Sequence, residues 1–294
     1  MTRSWLLRAH RTFFAVLSHV SPRVAGRIAL RIFCTPRRHH QPHWEKQIAA
    51  GGTRVRVGPQ LAARAFGSGP LVVLVHGWAG RGMQLGRFVQ PLVQAGFRVI
   101  AFDLPAHGGS SGERTDLIEC TEALRKVGRD VGPIAAIVAH SFGGAITTLA
   151  LERGLDARLV VYIASPSSIR DVLQRFGDAI GLSERAMQAF RAAIEQRTRV
   201  KLADVEIFER VAGLRVPALI VHDRGDSEVP FHDAERLAAR WPGATLLATD
   251  HLGHRRILKD DDVIRRAVTF AAERTANANL NANVEPGTRN VELR

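Results

Sequence analysis

The feature that most constrains this chain is an apolar run of strand length that stops at a serine with small residues on either side. It occupies residues 134–144 and reads IAAIVAHSFGG. A strand that turns sharply into a helix needs small side chains two positions before and after the turn, and Ala139 and Gly143 meet that need. The run therefore predicts a strained strand–turn–helix unit that leaves the hydroxyl of Ser141 exposed.

A helix predicted at residues 142–153 would place free backbone N–H groups and the positive end of its dipole beside Ser141. Such groups stabilise the oxyanion that forms when a serine attacks an acyl carbon. The same short pattern also fits a serine that merely caps a helix after a strand. Other parts of the chain must decide between these two interpretations.

Short apolar runs of strand length alternate with amphipathic segments over most of the chain. The predicted strands are residues 71–75, 98–102, 159–163, 218–221 and 244–247, and the predicted helices are residues 84–95, 115–127, 232–240 and 261–273. This alternation predicts an α/β fold, with a mostly parallel sheet covered by helices on both faces. Residues 53–57 and 61–66 predict an edge hairpin, and residues 166–214 predict a small cap of about three helices inserted over the sheet.

Five motifs resemble the α/β-hydrolase family in the order in which that family carries them. Residues 139–143 resemble its nucleophile elbow G-x-S-x-G, with Ala139 in place of the first glycine. The others are residues 76–78 for its H-G-x segment, 103–110 for its D-x-P-G-H-G-x-S loop, 222–230 for its H-G-x-x-D-x-x-V-P segment, and 253–254 for its late G-H pair. Because the motifs cover about residues 67–272 in the correct order, the chain is identified as a member of the family, in its serine hydrolase or esterase branch.

This resemblance implies a catalytic triad in the chain order Ser, Asp, His. Ser141 would be the nucleophile, Asp226 the orienting acid and His254 the general base, and the backbone N–H groups of Trp78 and Phe142 would form the oxyanion hole. The implied activity is hydrolysis of a carboxylic ester or thioester through an acyl-enzyme, without a metal or an organic cofactor. Acyl transfer and C–C bond hydrolysis use the same triad and remain alternatives, as does a non-catalytic binding protein of this fold.

Two of the triad assignments leave an alternative residue open. Asp223 stands where the family usually has glycine and is the alternative acid, although an aspartate at such a turn commonly bonds its own backbone. His251 is the alternative base. The side chains of His76, Asp103 and His107 are expected only to hold their loops, and His140 only to pack, because adjacent side chains at a sharp turn point apart.

The chain is expected to have three parts. Residues 1–45 form a basic amphipathic helical extension and linker, residues 46–274 the α/β-hydrolase domain with its cap at about residues 166–214, and residues 275–294 a disordered tail. The tail is predicted because this segment is rich in Asn and has few large apolar residues.

The positive charge of the chain is concentrated at its N-terminus. Residues 1–46 hold nine Lys and Arg against Glu45 alone, so that this segment carries +8 of the formal net charge of +13. Helices are predicted at residues 4–20 and 22–33, each with a basic stripe opposite apolar residues. Their apolar faces pack on the domain in one interpretation and contact an anionic membrane in the other.

The sequence also limits the partners and the compartment. No recognition helix, zinc knuckle or aromatic-rich basic strand indicates a nucleic-acid partner, so the expected partner is a small-molecule acyl substrate. Cys34 and Cys120 are too few for a disulfide framework and are predicted to be reduced. Residues 12–22 are too short to cross a bilayer, and no convincing signal peptide is expected, which predicts a cytoplasmic protein that is membrane-peripheral only if residues 1–33 contact lipid.

Overall fold

All the strands lie in one sheet in a computed structural model that describes residues 2–58 and 60–284, with side chains described for residues 11–58 and 60–277. The strands are β1 (Thr53–Val57), β2 (Leu61–Phe66), β3 (Leu71–Val75), β4 (Arg98–Phe102), β5 (Ile134–His140), β6 (Val160–Ile163), β7 (Ala218–Asp223) and β8 (Thr245–Thr249). Their order across the sheet is β1-β2-β4-β3-β5-β6-β7-β8. The β1–β2 and β2–β4 pairs are antiparallel and the others are parallel.

Helices cover both faces of this sheet. They are α1 (Thr2–Val20), α2 (Pro22–Phe33), α3 (His43–Ala50), α4 (Val89–Gln94), α5 (Leu117–Val131), α6 (Phe142–Glu152), α7 (Ile169–Ile180), α8 (Glu184–Thr198), α9 (Ile207–Arg210), α10 (His232–Arg240), α11 (Gly253–Arg256) and α12 (Asp261–Val284). Val73 and Val75 of β3 pack with α5, α6 and α10, while Val72 and Leu74 pack with α4 and α12. The predicted α/β fold is thus confirmed, and the central strands β3 and β5 are buried along their whole length.

The segment between β6 and β7 forms the predicted helical cap. It contains α7, α8 and α9 together with short 3₁₀ helices at Leu202–Val205 and Val211–Gly213. The side chains of Ser168 and Ser183 accept hydrogen bonds from the first turns of α7 and α8, which satisfies backbone N–H groups that have no partner inside a helix.

The N-terminal helices pack on this cap. Ala25, Gly26 and Ala29 are the buried residues of α2, and a Cβ atom added to Gly26 would lie 2.7 Å from the backbone nitrogen of Phe190 in α8. Only glycine therefore permits the two helices to cross at this distance. None of the helices within the described residues combines the length and the hydropathy that a membrane span requires.

Three elements differ from the sequence-based expectations. Helix α3 occupies residues 43–50, where no helix was predicted, and its Glu45 is buried in an ion pair with Arg81. The helix predicted at residues 84–95 is split into a 3₁₀ helix at Gly82–Phe88 and α4. Helix α12 continues to Val284 and so enters the segment expected to be a disordered tail, because Thr275 is buried and keeps the helix on the domain. Residues 285–294 of the predicted tail lie outside the described residues.

Candidate active site

Ser141 lies at a strained turn between β5 and α6. Its backbone has φ 53° and ψ −124°, a conformation that costs a residue with a side chain about 1–3 kcal/mol. A Cβ atom on Gly143 would lie 2.5 Å from the carbonyl oxygen of Val75, and Ala139 is fully buried, so both flanking positions require small residues. The Ser141 side chain is half-buried, and its hydroxyl makes no hydrogen bond to any described residue.

The loop after β3 lies directly against this serine. A Cβ atom on Gly77 would be 2.9 Å from Cβ of Ser141, so the backbone that leads into Trp78 passes beside the hydroxyl. The N–H groups of Trp78 and Phe142 have no hydrogen-bond partner among the described residues. Two free donors beside a serine match the arrangement predicted for an oxyanion hole.

Two buried histidines hold this loop in place. His76 Nε2 accepts from the backbone N–H of Leu104 at 2.9 Å, and its Nδ1 donates to the carbonyl oxygen of Gly77 at 2.7 Å. His107 Nε2 accepts from the N–H of Ala79 at 3.0 Å. Burial lowers the pKa of His76 to about 4, and burial together with the neighbouring His76 lowers the pKa of His107 to about 3. Both rings are therefore neutral and bonded to backbone groups, which suits the supporting role expected for them.

Asp103 supports the same region from the end of β4. Its two carboxylate oxygens accept from the N–H groups of Gly82 at 2.7 Å and Gly109 at 2.8 Å. This carboxylate joins two loops and, as expected, contacts none of the predicted triad residues.

His254 and Asp226 are hydrogen-bonded to each other. His254 Nδ1 lies 2.7 Å from Asp226 Oδ2, and because a carboxylate only accepts, Nδ1 carries the proton. The other carboxylate oxygen accepts from the N–H groups of Glu228 at 2.8 Å and Val229 at 2.9 Å. Burial alone would raise the pKa of Asp226, but the hydrogen bonds from His222 and His254 outweigh it and hold the pKa well below its usual range. His254 Nε2 is consequently left as a free proton acceptor.

The alternative acid, Asp223, and the alternative base, His251, make different contacts. Asp223 accepts from the N–H of Gly225, from Thr249 Oγ1 and from the N–H of Leu252, and so ties the turn after β7 to the loop that carries His254. Burial would raise its pKa, but the bonds from Leu252 and the next backbone N–H lower it. His251 is exposed, and its ring has no partner among the described residues. Of the two candidate bases, His254 is therefore the one that faces an aspartate, and that aspartate is Asp226.

His140 has a role that the sequence did not indicate. Its Nε2 donates to the carbonyl oxygen of His254 at 2.9 Å, and the two rings lie 4.7 Å apart between centroids. Its Nδ1 is buried without a partner. Burial, and next the neighbouring His254, lower the pKa of His140 to about 3. The partner is a backbone group far along the chain, and no local pattern in the sequence reveals it.

We expect His140 to act as a positioning residue for His254. His140→Ala should lower kcat about tenfold, because a misplaced imidazole loses its alignment, whereas His140→Gln should restore most of kcat because its amide can donate to the same carbonyl. The pKa of His140 is about 6.5 in the unfolded chain and about 3 in the folded chain, so the unfolded chain binds this proton more readily. The contribution of His140 to stability is therefore lost as the pH falls from about 6.5 to about 3.

Two measurements check this expectation. Ester turnover of the two variants gives kcat, and urea unfolding between pH 7 and pH 4 gives the slope of stability against pH. The slope should fall by about 1.4 kcal/mol per pH unit when glutamine replaces His140. Equal kcat for His140→Ala and the wild type would remove the positioning role.

No group of three or more His, Cys, Asp and Glu side chains within the described residues is placed to hold a metal ion. The two thiols, Cys34 and Cys120, are both buried and free. Near Ser141, the groups available to a ligand include the N–H groups of Trp78 and Phe142 as donors and His254 Nε2 as an acceptor.

A comparison of the sequence with models of protein families gives one match. The model of the alpha/beta hydrolase family matches residues 72–267, which include Ser141, Asp226 and His254. The chain belongs to the alpha/beta hydrolase family. The match begins after the N-terminal helices α1, α2 and α3 and the strands β1 and β2.

Similar proteins have names that refer to different activities. The chain is 27% identical over 231 residues to a pimeloyl-[acyl-carrier protein] methyl ester esterase of Aromatoleum aromaticum, covering 63% of this chain and 91% of the relative. It is 28% identical over 263 residues to the magnesium-chelatase 30 kDa subunit of Rhodobacter capsulatus, covering 72% and 91%. Among solved structures, an esterase from Exiguobacterium antarcticum superposes with a TM-score of 0.57 at 17% identity, covering 72% of this chain and 95% of that one. This last likeness concerns the fold.

Proposed function

We propose that this alpha/beta hydrolase is a serine hydrolase that cleaves a carboxylic ester or thioester through an acyl-enzyme intermediate. The observation that carries the proposal is the 2.7 Å hydrogen bond from His254 Nδ1 to Asp226, which leaves Nε2 as the proton acceptor. A low pKa keeps Asp226 ionised at neutral pH, so it favours this tautomer and stabilises the imidazolium that forms during the reaction.

The first half-reaction forms the acyl-enzyme. Ser141 Oγ bonds to the acyl carbon while its proton passes to His254 Nε2, and the developing oxyanion is stabilised by the N–H groups of Trp78 and Phe142. The bond to the leaving alcohol or thiol then breaks, and the leaving group takes the proton from Nε2. Ser141 Oγ and His254 Nε2 form no hydrogen bond with each other, and this bond is expected to form in the substrate complex, because catalytic hydrogen bonds often tighten only there.

The second half-reaction releases the acid. Water gives a proton to His254 Nε2 as it attacks the acyl carbon, the same two N–H groups hold the new oxyanion, and the bond to Ser141 Oγ breaks with return of that proton. No step uses a metal or an organic cofactor.

The substrate class and the compartment are part of the proposal. The relative from Aromatoleum aromaticum is named as an esterase, which supports ester chemistry for this chain. The two buried free thiols support a reducing, cytoplasmic location. The membrane contact predicted for residues 1–33 is a separate proposal that depends on the surface of α1 and α2.

The experiment that tests the proposed function is covalent labelling with a fluorophosphonate probe. The probe reacts with a serine only when a base removes its proton and an oxyanion hole holds the phosphoryl oxygen. We expect stoichiometric labelling of the full-length chain at Ser141, identified by mass spectrometry of the labelled peptide. Before it is labelled, the protein should hydrolyse short activated esters slowly. A chain that neither reacts with the probe nor cleaves such esters would contradict the proposal.

A further inference from the structure

The apolar side chains that remain exposed on this protein are concentrated in the N-terminal helices. Among the described side chains, the large hydrophobic residues classed as exposed all lie within residues 13–32. They are Phe13 (55% exposed), Val16 (59%), Val20 (78%), Val24 (43%) and Ile32 (43%). Exposed apolar side chains that gather in one segment of a protein often mark a contact with another molecule.

Helix α1 packs on the domain with the side that the sequence pattern did not favour. Phe14 and Ser18 are buried, and Ser183 Oγ of the cap donates to the carbonyl oxygen of Ser18 at 3.4 Å. Phe13, Val16 and Val20, spaced as one helical stripe, face solvent. A helix that only covered a core would turn this stripe inward, so packing on the cap does not account for it.

Positive charge lies along the same surface. Arg27 and Arg31 share the outward side of α2 with Val24, and both arginines are exposed and form no ion pair among the described residues. The sequence has no acidic residue before Glu45. We call the outward surface of the two helices the outer face, and it consists of Phe13, Val16, Val20, Val24, Arg27 and Arg31.

We propose that the outer face docks on a bilayer that contains anionic lipid. Aliphatic and aromatic side chains can enter the boundary between headgroups and acyl chains, while the arginines meet lipid phosphates at the same depth. A helical surface that combines exposed apolar side chains with arginines suits a lipid interface better than an acidic protein, because binding to an acidic protein would need only the charge. Docking in this way keeps α1 and α2 on the cap, since their buried residues are on the opposite side.

The end of helix α2 also contacts the loop beside Ser141. Helix α2 ends at Phe33, whose ring stacks on Trp78 with centroids 5.6 Å apart and planes inclined by 12°. Residues docked at the bilayer are therefore joined through one short helix to the loop that carries an oxyanion N–H.

Co-sedimentation with vesicles tests the proposal on the full-length protein. One set of vesicles contains equal parts of phosphatidylcholine and phosphatidylglycerol, and the other contains phosphatidylcholine alone. We expect binding to the anionic vesicles, little binding to the neutral ones, and loss of binding at high salt, because the attraction to lipid phosphates is screened. Absence of binding to both kinds of vesicle at low salt would overturn the proposal.

Two double variants separate charge from apolar contact. Arg27→Gln with Arg31→Gln should weaken binding to anionic vesicles about 30-fold, since each arginine near such a surface contributes about fivefold. Val16→Ser with Val20→Ser should weaken it at least fivefold through lost insertion. All four side chains are exposed, so the fold should persist in both variants.

The matched control is Arg215→Gln with Arg240→Gln, which removes the same charge from exposed sites outside the N-terminal helices. Its affinity for anionic vesicles should stay within about threefold of the wild-type affinity, because salt screens exposed charges that lie away from the docked surface. An equal loss in the control would show attraction by net charge alone and overturn the proposal. Loss in the arginine variant without loss in the valine variant would assign the face to an acidic partner instead. Dimerisation of the wild type, abolished in the valine variant and without vesicle binding, would assign it to a second copy of the chain.

Discussion

Ser141→Ala is expected to abolish nearly all ester turnover while leaving the fold unchanged. Loss of the nucleophile from a Ser-His-Asp triad commonly costs about 10⁴-fold or more in kcat. The hydroxyl of Ser141 is half-buried and has no hydrogen-bond partner among the described residues, so its removal leaves no buried group unsatisfied. The positive φ is not an obstacle, since Ala79, Ala106 and Ala164 already adopt φ between 52° and 63° in this chain.

The measurement is hydrolysis of a short activated ester, with urea unfolding as the test of the fold. Ser111→Ala is a matched control, because it removes an exposed hydroxyl from a neighbouring loop. The control should keep full activity, and both variants should unfold at the wild-type urea concentration. If Ser141→Ala kept more than about a tenth of kcat, some other group would have to be the nucleophile.

The second large effect is expected at Asp226, with Asp223 as its control in the same turn. Asp226→Asn should lower kcat by about 10⁴-fold, because an amide can hold the imidazole of His254 in the tautomer that has no lone pair facing Ser141. Asp223→Asn should change kcat less than tenfold, since Asp223 contacts backbone groups and Thr249 but no imidazole.

Asp223→Asn should nevertheless lower the stability of the fold. This carboxylate accepts three hydrogen bonds that join two loops, so Asp223→Asn is expected to lower the free energy of unfolding by about 1–3 kcal/mol. The folded pKa of Asp223 lies below its unfolded value of about 4, so this contribution is present above about pH 4 and is lost as the pH falls. Kinetics and urea unfolding at pH 7 check both variants. An exchange of the two kinetic effects would make Asp223 the orienting acid.

Much of this architecture follows from local patterns in the sequence. The continuous apolar runs predicted β3 and β5, and the elbow pattern predicted the strained turn at Ser141, because small residues flank this serine at the end of an apolar run. The resemblance to the family also implied which loops meet, because it assigned Ser141, Asp226 and His254 to one triad.

Other features depend on partners that the sequence does not place. Helix α3 has only eight residues and is held by a buried ion pair between Glu45 and Arg81 and by Lys259 over the ring of Trp44, contacts that lie far along the chain. The hydrogen bond from His140 to the backbone of His254 likewise joins distant segments. Periodicity predicted the two sides of α1 but not which side would meet the cap, because Ser18 packs there as a small residue rather than as a polar one.

The close crossing at Gly26 has a mechanical consequence for movement of the cap. Helices α2 and α8 touch backbone to backbone at this point, so a displacement of the cap that carries α8 must carry α2 with it. Because Phe33 at the end of α2 stacks on Trp78, the same displacement would separate that pair of rings. Movement of the cap is then coupled to the N-terminal helices, and anything that restricts α1 and α2 also restricts how far the cap can move relative to Trp78.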